Sequence, residues 1–218
     1  MTRILLAGAT GMVGRQVANI LSAPFVDREL HIISRRPITG LDNNIMQHIV
    51  DPAKWTSLIT EVAPQVIISC LGTTIKAAGS KSAFAAVDFE LTTRVGQAAH
   101  AAGTRHMILM TSVGASASSA NFYLSTKGKT ETAIRALGFE RLDIFRPGLL
   151  RGIRAEARTG ESLGILLSPI ADALMHGRFR RYRSIDGAVV AKAIANLTEA
   201  GGQGTFIHEN DSITEVAG

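Results

Sequence analysis

The chain is poor in cysteine, tryptophan and tyrosine, with one, one and two of them in 218 residues. A lone Cys70 excludes an intrachain disulfide and leads us to expect a reducing cytoplasm as the setting. Long apolar runs are missing as well. The strongest, residues 66–71, falls far short of the roughly 20 residues that a membrane span needs and suits a buried strand. The first apolar stretch meets Gly8 too early to be expected as a secretory signal. His31, His48, His100, His106, His176 and His208 are scattered without metal-ligand spacing, so no metal site is expected. No basic run is interleaved with aromatics, and no nucleic-acid partner is expected.

What remains is a hydrophobic fraction of 46% against 19% charged residues, the balance of a globular chain with a sizeable core. Its length suits one domain rather than two. The net charge of +5 is unevenly placed: between Arg135 and Arg183 stand ten arginines, no lysine and five acids. Such a basic third suits a small anionic substrate as well as an ordinary solvated surface.

Short apolar runs alternate with stretches of helical period. Strands are expected at 3–7, 30–34, 46–50, 65–70, 106–111, 142–146 and 205–208, and helices at 13–22, 52–62, 82–102, 121–137, 161–175 and 188–199. Runs such as Val66-Ile67-Ile68 and Met107-Ile108-Leu109-Met110 are apolar on both faces, as a helix-covered parallel sheet requires. The expected fold is therefore α/β, a doubly wound and mostly parallel sheet of the Rossmann type in a single domain, residues 1–218. The glycine-broken segment 151–184 is expected to form a short substrate-facing flap.

Between the first strand and first helix lies Gly8-Ala9-Thr10-Gly11-Met12-Val13-Gly14. The first glycine permits a tight turn, the second lets the backbone approach a pyrophosphate, and the third lets helix pack closely on sheet. The helix start at Met12 and Val13 then offers unpaired N–H groups to phosphate. An acid near the end of the second strand would bond the ribose 2′-hydroxyl of NAD. Here Ser34 is followed by Arg35-Arg36 instead, with Arg15 nearby in sequence logic. Guanidinium forks suit a 2′-phosphate, so NADP(H) is expected ahead of NAD(H). Farther on, Tyr123 and Lys127 stand four apart at the start of a helix, which puts phenol and ammonium on one face. A nearby cation lowers a phenol pKa towards useful acid–base chemistry. Ser112, ending the preceding strand, is placed to bond a substrate oxygen.

The spacing G-x-x-G-x-x-G, with Thr10 before its second glycine, resembles the short-chain dehydrogenase/reductase superfamily in its atypical and extended branches. Ser112, Tyr123 and Lys127 match that superfamily's catalytic triad. The resemblance implies that Tyr123 exchanges the proton at the reacting oxygen, that Lys127 binds the nicotinamide ribose and lowers the tyrosine pKa, and that Ser112 steadies the substrate oxygen. It implies further that Asp51 meets the adenine amino group and that Cys70, Leu71, Gly72 and Thr73 line the cofactor ribose. The backbone at Pro147 and Gly148 would meet the carboxamide. Cys70-Leu71-Gly72-Thr73-Thr74, Val87-Asp88 and Phe145-Arg146-Pro147-Gly148-Leu149-Leu150 together look like the Tat-interacting-protein oxidoreductase group and its sugar-nucleotide-epimerase-like relatives. Only 70 residues follow Gly148, about half of a separate substrate domain of usual size.

Three functions stay open on this reading. The first is an NADP(H)-dependent oxidoreductase acting on a small carbonyl or alcohol. The second is a regulatory protein that uses NADPH binding as a signal with little turnover. The third is a nucleotide-sugar-epimerase-like enzyme, against which the arginine pair and short C-terminus both speak.

Overall fold

Seven strands form one parallel sheet, whose central runs are largely aliphatic and buried under helices on both faces, while its two edge strands, Met46–Ile49 and Gly204–His208, stay mostly exposed. The structure is a computed structural model that describes residues 1–23, 28–42, 44–152 and 176–218. In chain order the elements are β1 (Thr2–Ala7), α1 (Met12–Leu21), β2 (Arg28–Ser34), β3 (Met46–Ile49), a 3-10 turn (Pro52–Lys54) leading into α2 (Trp55–Val62), and β4 (Val66–Ser69). Then come α3 (Ile75–Ala78), α4 (Lys81–Ala85), a π-helical turn (Ala86–Leu91), α5 (Thr92–Ala101), β5 (His106–Met110), α6 (Phe122–Arg135) and β6 (Arg141–Phe145). The chain ends with β7 (Leu150–Arg151), a 3-10 turn (Gly177–Tyr182), β8 (Ile185–Asp186), α7 (Gly187–Leu197), β9 (Gly204–His208) and α8 (Asn210–Ala217).

The strand order is β3-β2-β1-β4-β5-β6-β9, with every pairing parallel, and β7 and β8 form a separate two-stranded parallel ladder. Period-2 alternation splits the core between two faces. Ile4, Leu6, Ile32, Ile68 and Ile108 pack beneath α1 and α7, whereas Leu5, Ile33, Ile67, Met107 and Leu109 pack beneath α2 and α5. Each such side chain, fully buried, is worth roughly 1.5–3 kcal/mol. The order reverses between β1 and β4, so the crevice beyond the carboxyl ends of those strands is where such a sheet binds ligands. This is the expected Rossmann-type fold.

Several details differ from the expectation, among them α3, β7 and β8, which were not anticipated. The helix expected at 82–102 is three pieces, because a π-helical turn inserts extra backbone at Ala86–Leu91 and brings Asp88 into the interior at 1% exposure. Helix α8 was not anticipated, although Ile213, Val216 and Ala217 carry its helical spacing behind polar Asn210-Asp211-Ser212. The helix expected at 161–175, and most of the expected flap, lie outside the described residues.

The last strand and helix are tied to the sheet by a buried charge. Asp143 is fully buried and accepts from His106 Nε2 at 2.7 Å, His208 Nε2 at 2.7 Å, Arg141 Nε at 2.6 Å and a second Arg141 nitrogen at 3.1 Å. His208 Nδ1 in turn meets Ser212 Oγ of α8 at 3.1 Å. Burial works against the charge on Asp143. The hydrogen bonds from His106, His208 and Arg141 outweigh it and hold the carboxyl well below the usual range. A depressed carboxylate stabilises the fold above its unfolded pKa of about 4, and that contribution is lost as pH falls toward the folded value. Asp143→Asn should therefore cost about 3–5 kcal/mol at neutral pH, because it strands Arg141. Urea denaturation across pH should show the gap between wild type and variant shrinking below about pH 4. A gap that is constant with pH would mean that Asp143 is not the group carrying it.

Candidate functional site

The turn after β1 is built by contact rather than by flexibility alone. Gly8 has φ +93°, and a Cβ on it would lie 2.5 Å from the Cys70 carbonyl. A Cβ on Gly14 would lie 2.3 Å from Gly8 O. Gly8 and Gly14 are thus required by packing of the turn against β4 and of α1 against the turn. Gly11 is different. It is exposed, its N–H bonds Gly8 O at 3.0 Å, and a Cβ there would meet only that oxygen, at 3.3 Å. As N-cap of α1 it makes no side-chain cap bond, so no side chain of its own covers the helix N-terminus. Thr10 beside it is exposed. Val13 is buried in the core, so only its backbone can serve a ligand, and Met12 is packed toward Gly187 at the start of α7. This is a cradle that fits a pyrophosphate.

At the end of β2, buried Ser34 donates its hydroxyl to Arg36 O at 2.7 Å and shapes a turn on which Arg35 and Arg36 are exposed. Arg15, one residue past Gly14, bonds the carbonyl of Thr39 and so stands on the same side. Asp51 is exposed just beyond β3. Its Oδ1 accepts from Ala53 N–H at 2.8 Å and caps the following turn.

The other end of the crevice gathers the remaining residues. Cys70 and Leu71 are buried, while Gly72 is exposed. Burial pushes the Cys70 thiol up to about 12 despite Lys127 nearby, which leaves it inert as a nucleophile. Ser112 follows β5, half-buried. The next residue, Val113, donates its N–H to Pro147 O at 3.0 Å, and Gly148 N–H bonds Asn210 Oδ1 at 2.9 Å. Tyr123 stands half-buried in the first turn of α6, its ring 5.4 Å from that of Phe84. Asn121 caps this helix by accepting from Leu124 N–H. Lys127, one turn on, is buried at 4% exposure, and a Cβ on Gly72 would lie 3.3 Å from its Nζ.

Sequence reasoning placed Asp88 in a family pattern without a role. In the structure its Oδ2 accepts from Thr73 N–H at 2.9 Å, while Oδ1 lies 2.7 Å from Lys127 Nζ. That second contact is an ion pair without the alignment of a hydrogen bond. Thr130 of α6 donates its hydroxyl to Asp88 O at 2.8 Å. One carboxylate thus joins the loop after β4 to the lysine. Its signal was available: Phe84, Asp88 and Leu91 share one apolar stripe, where an acid demands a buried partner. A second clamp was also missed. Glu131, one turn beyond Lys127, accepts from Thr111 Oγ1 at 2.7 Å and from Arg146 Nε at 2.9 Å, and pairs with a further Arg146 nitrogen. This bond to Glu131 raises the Arg146 pKa above its ordinary value.

Comparison with known proteins places the chain. The model of the HIM1 family matches residues 40–179, more than half of its length. The fmp52 protein of Emericella nidulans is 33% identical over 204 residues, covering 90% of this chain and 87% of that one. The FMP52 protein of Debaryomyces hansenii is 38% identical over 157 residues, covering 70% and 69%. Among solved structures, WbmH of Bordetella bronchiseptica in complex with NAD+ superposes with a TM-score of 0.69 at 15% identity, covering 100% of this chain and 79% of that one. The UDP-glucose 4-epimerase of Thermotoga maritima gives 0.72 at 14%, covering 95% and 77%. The dTDP-4-dehydrorhamnose reductase of Bacillus anthracis in complex with NADP gives 0.67 at 15%, covering 96% and 76%. At such identities these structures share the fold.

The fmp52 relatives are named mitochondrial, which overturns the cytoplasmic expectation. A single cysteine rules out an intrachain bridge, but it does not choose among compartments. On the family model and these relatives together, the chain belongs to the HIM1 family, among the fmp52 proteins.

Proposed function

We propose that this protein is an NADP(H)-dependent oxidoreductase of the atypical short-chain dehydrogenase type, acting on a small carbonyl or alcohol. The observation that carries the reading is the bridge from Thr73 N–H through Asp88 to Lys127 Nζ. It fixes the lysine beside Gly72, one helical turn from Tyr123. The cradle at Gly11 fits the pyrophosphate of a dinucleotide, and Arg35, Arg36 and Arg15 suit a 2′-phosphate. The structural neighbours named with NAD and NADP support a nicotinamide cofactor here. When bound, that cofactor supplies or accepts the hydride.

The chain's own residues do the rest. Tyr123 holds the proton that passes to or from the reacting oxygen, and Ser112 donates a hydrogen bond to that oxygen. Lys127 sets the electrostatics of the phenol and reaches the ribose hydroxyls. Asp88 partly offsets the positive charge of Lys127. The mitochondrial names of the relatives support the same setting for this chain.

Two predictions follow from this arrangement. Gly11→Val should fold, because its side chain meets little protein, and should lose dinucleotide binding. Arg35→Ala with Arg36→Ala should weaken NADPH and spare NADH. Fluorescence titration checks both, and tighter NADH binding by the wild type would remove the 2′-phosphate assignment.

Tyr123→Phe should lower NADPH-linked carbonyl turnover about 10²-fold or more with cofactor affinity nearly unchanged. Asp88→Asn should lower cofactor affinity and turnover together, because it removes the carboxylate that holds Lys127 beside Gly72 and the loop at Thr73, whereas Tyr123→Phe should lower turnover alone. A wild type inactive on a broad carbonyl panel, with a Tyr123→Phe variant that keeps its cellular role, would favour the NADPH-sensing alternative.

A further inference from the structure

Ser212, in the first turn of α8, meets two things at once. Its Oγ lies 3.1 Å from His208 Nδ1, and the residue lines a cavity of about 440 Å³, within the range of small-molecule sites. Behind it, His208 Nε2 lies 2.7 Å from Asp143 Oδ1. An ionised carboxylate can only accept, so Nε2 carries the hydrogen, and in the neutral imidazole Nδ1 is then the acceptor. Ser212 therefore donates its hydroxyl to His208. The other oxygen of Asp143 accepts from His106 Nε2 at 2.7 Å and Arg141 Nε at 2.6 Å, which fixes the carboxylate behind the imidazole. Asp143 and His208 are both buried, so Ser212 is the member of this line that reaches the cavity.

Nucleophile, base and orienting acid in that order are what activates a hydroxyl for acyl transfer. The cavity wall suits such chemistry on an uncharged molecule. Arg146 and Arg181 are balanced in formal charge by Glu209 and Asp211, and Ile207 adds an apolar side chain. None of Ser112, Tyr123 and Lys127 is among the lining residues, so this place is separate from the nicotinamide crevice. No side chain caps α8, whose first-turn N–H groups, that of Ser212 included, are left without helix partners. They are donors for an oxyanion that develops beside Ser212.

We propose that Ser212 is the nucleophile of a second activity, the hydrolysis of a small uncharged ester, with His208 as its base and Asp143 as the positioning acid. Ser212 Oγ forms a bond to the ester carbonyl carbon while its proton passes to His208 Nδ1. The carbon–alkoxide bond then breaks, and the alcohol leaves with that proton. Water attacks the acyl-serine, gives a proton to Nδ1, and the acid departs as the proton returns to Ser212 Oγ.

The test is labelling of the full-length protein, without dinucleotide, by an uncharged alkyl fluorophosphonate, mapped by peptide mass spectrometry, with p-nitrophenyl acetate hydrolysis alongside. The label should map to Ser212, and Ser212→Ala should lose it and lower hydrolysis about 10²-fold or more. Ser212→Cys gives a second reading. With His208 taking its proton, the new thiol should react with iodoacetamide at neutral pH about ten-fold faster than that of Ser57→Cys. Ser57 is the matched control, exposed and likewise third in an eight-residue helix. Native Cys70, with its thiol pushed up to about 12, stays silent. Label on other residues alone, hydrolysis unchanged in Ser212→Ala, or equal alkylation of the two cysteine variants would mean that Ser212 only ties α8 to β9, and would overturn the proposal.

Discussion

A buried ammonium needs a buried anion, and that requirement organises the end of the crevice that carries Gly72, Tyr123 and Lys127. Lys127 is almost fully enclosed, and Asp88 is the carboxylate that makes its charge tolerable there. To deliver that carboxylate the helix after β4 departs from α geometry through a π-helical turn. Its second oxygen is then spent on Thr73 N–H, which fixes the loop carrying Gly72. The loop, the helix that precedes α5 and the lysine on α6 are therefore one unit. Breaking the pair would leave either charge buried alone, at a cost of about 3–5 kcal/mol.

A second pair, Glu131 with Arg146, works one turn farther along α6 and ties it to the end of β6. Together the two pairs hold one face of α6 against elements from both sides of the strand order, so the orientation of Tyr123 is set from below. The third polar cluster, around Asp143, belongs to a different task. It anchors β9 and α8, and through Asn210 that anchorage reaches the turn bearing Arg181 and Tyr182. The last strand, the last helix and the backbone at Arg183 are thus held as one unit.

The sheet was legible in the sequence because parallel strands covered on both faces leave continuous apolar runs, as in Val66-Ile67-Ile68. The glycine turn was legible because position and spacing together demand it. Asp88 was not, since a pair separated by 39 positions in the chain leaves no local pattern, only an acid standing on an apolar stripe. Helix α8 was missed because its eight residues offer little more than two turns of periodicity. The seating of the Arg183 backbone depends on its close approach to Gly148, a tertiary fact that no spacing encodes. The compartment was misjudged because cysteine count carries information about disulfides alone.

The central claim is that Lys127, held by Asp88, stands at the nicotinamide end of a dinucleotide seated on Gly11. A crystal structure of the protein grown with NADPH tests it most directly. The account predicts pyrophosphate density against the Gly11 backbone and the nicotinamide ribose within hydrogen-bond distance of Lys127 Nζ, with Asp88 still on Thr73 N–H. Dinucleotide density lying away from the turn after β1, or a ribose out of reach of Lys127, would contradict it.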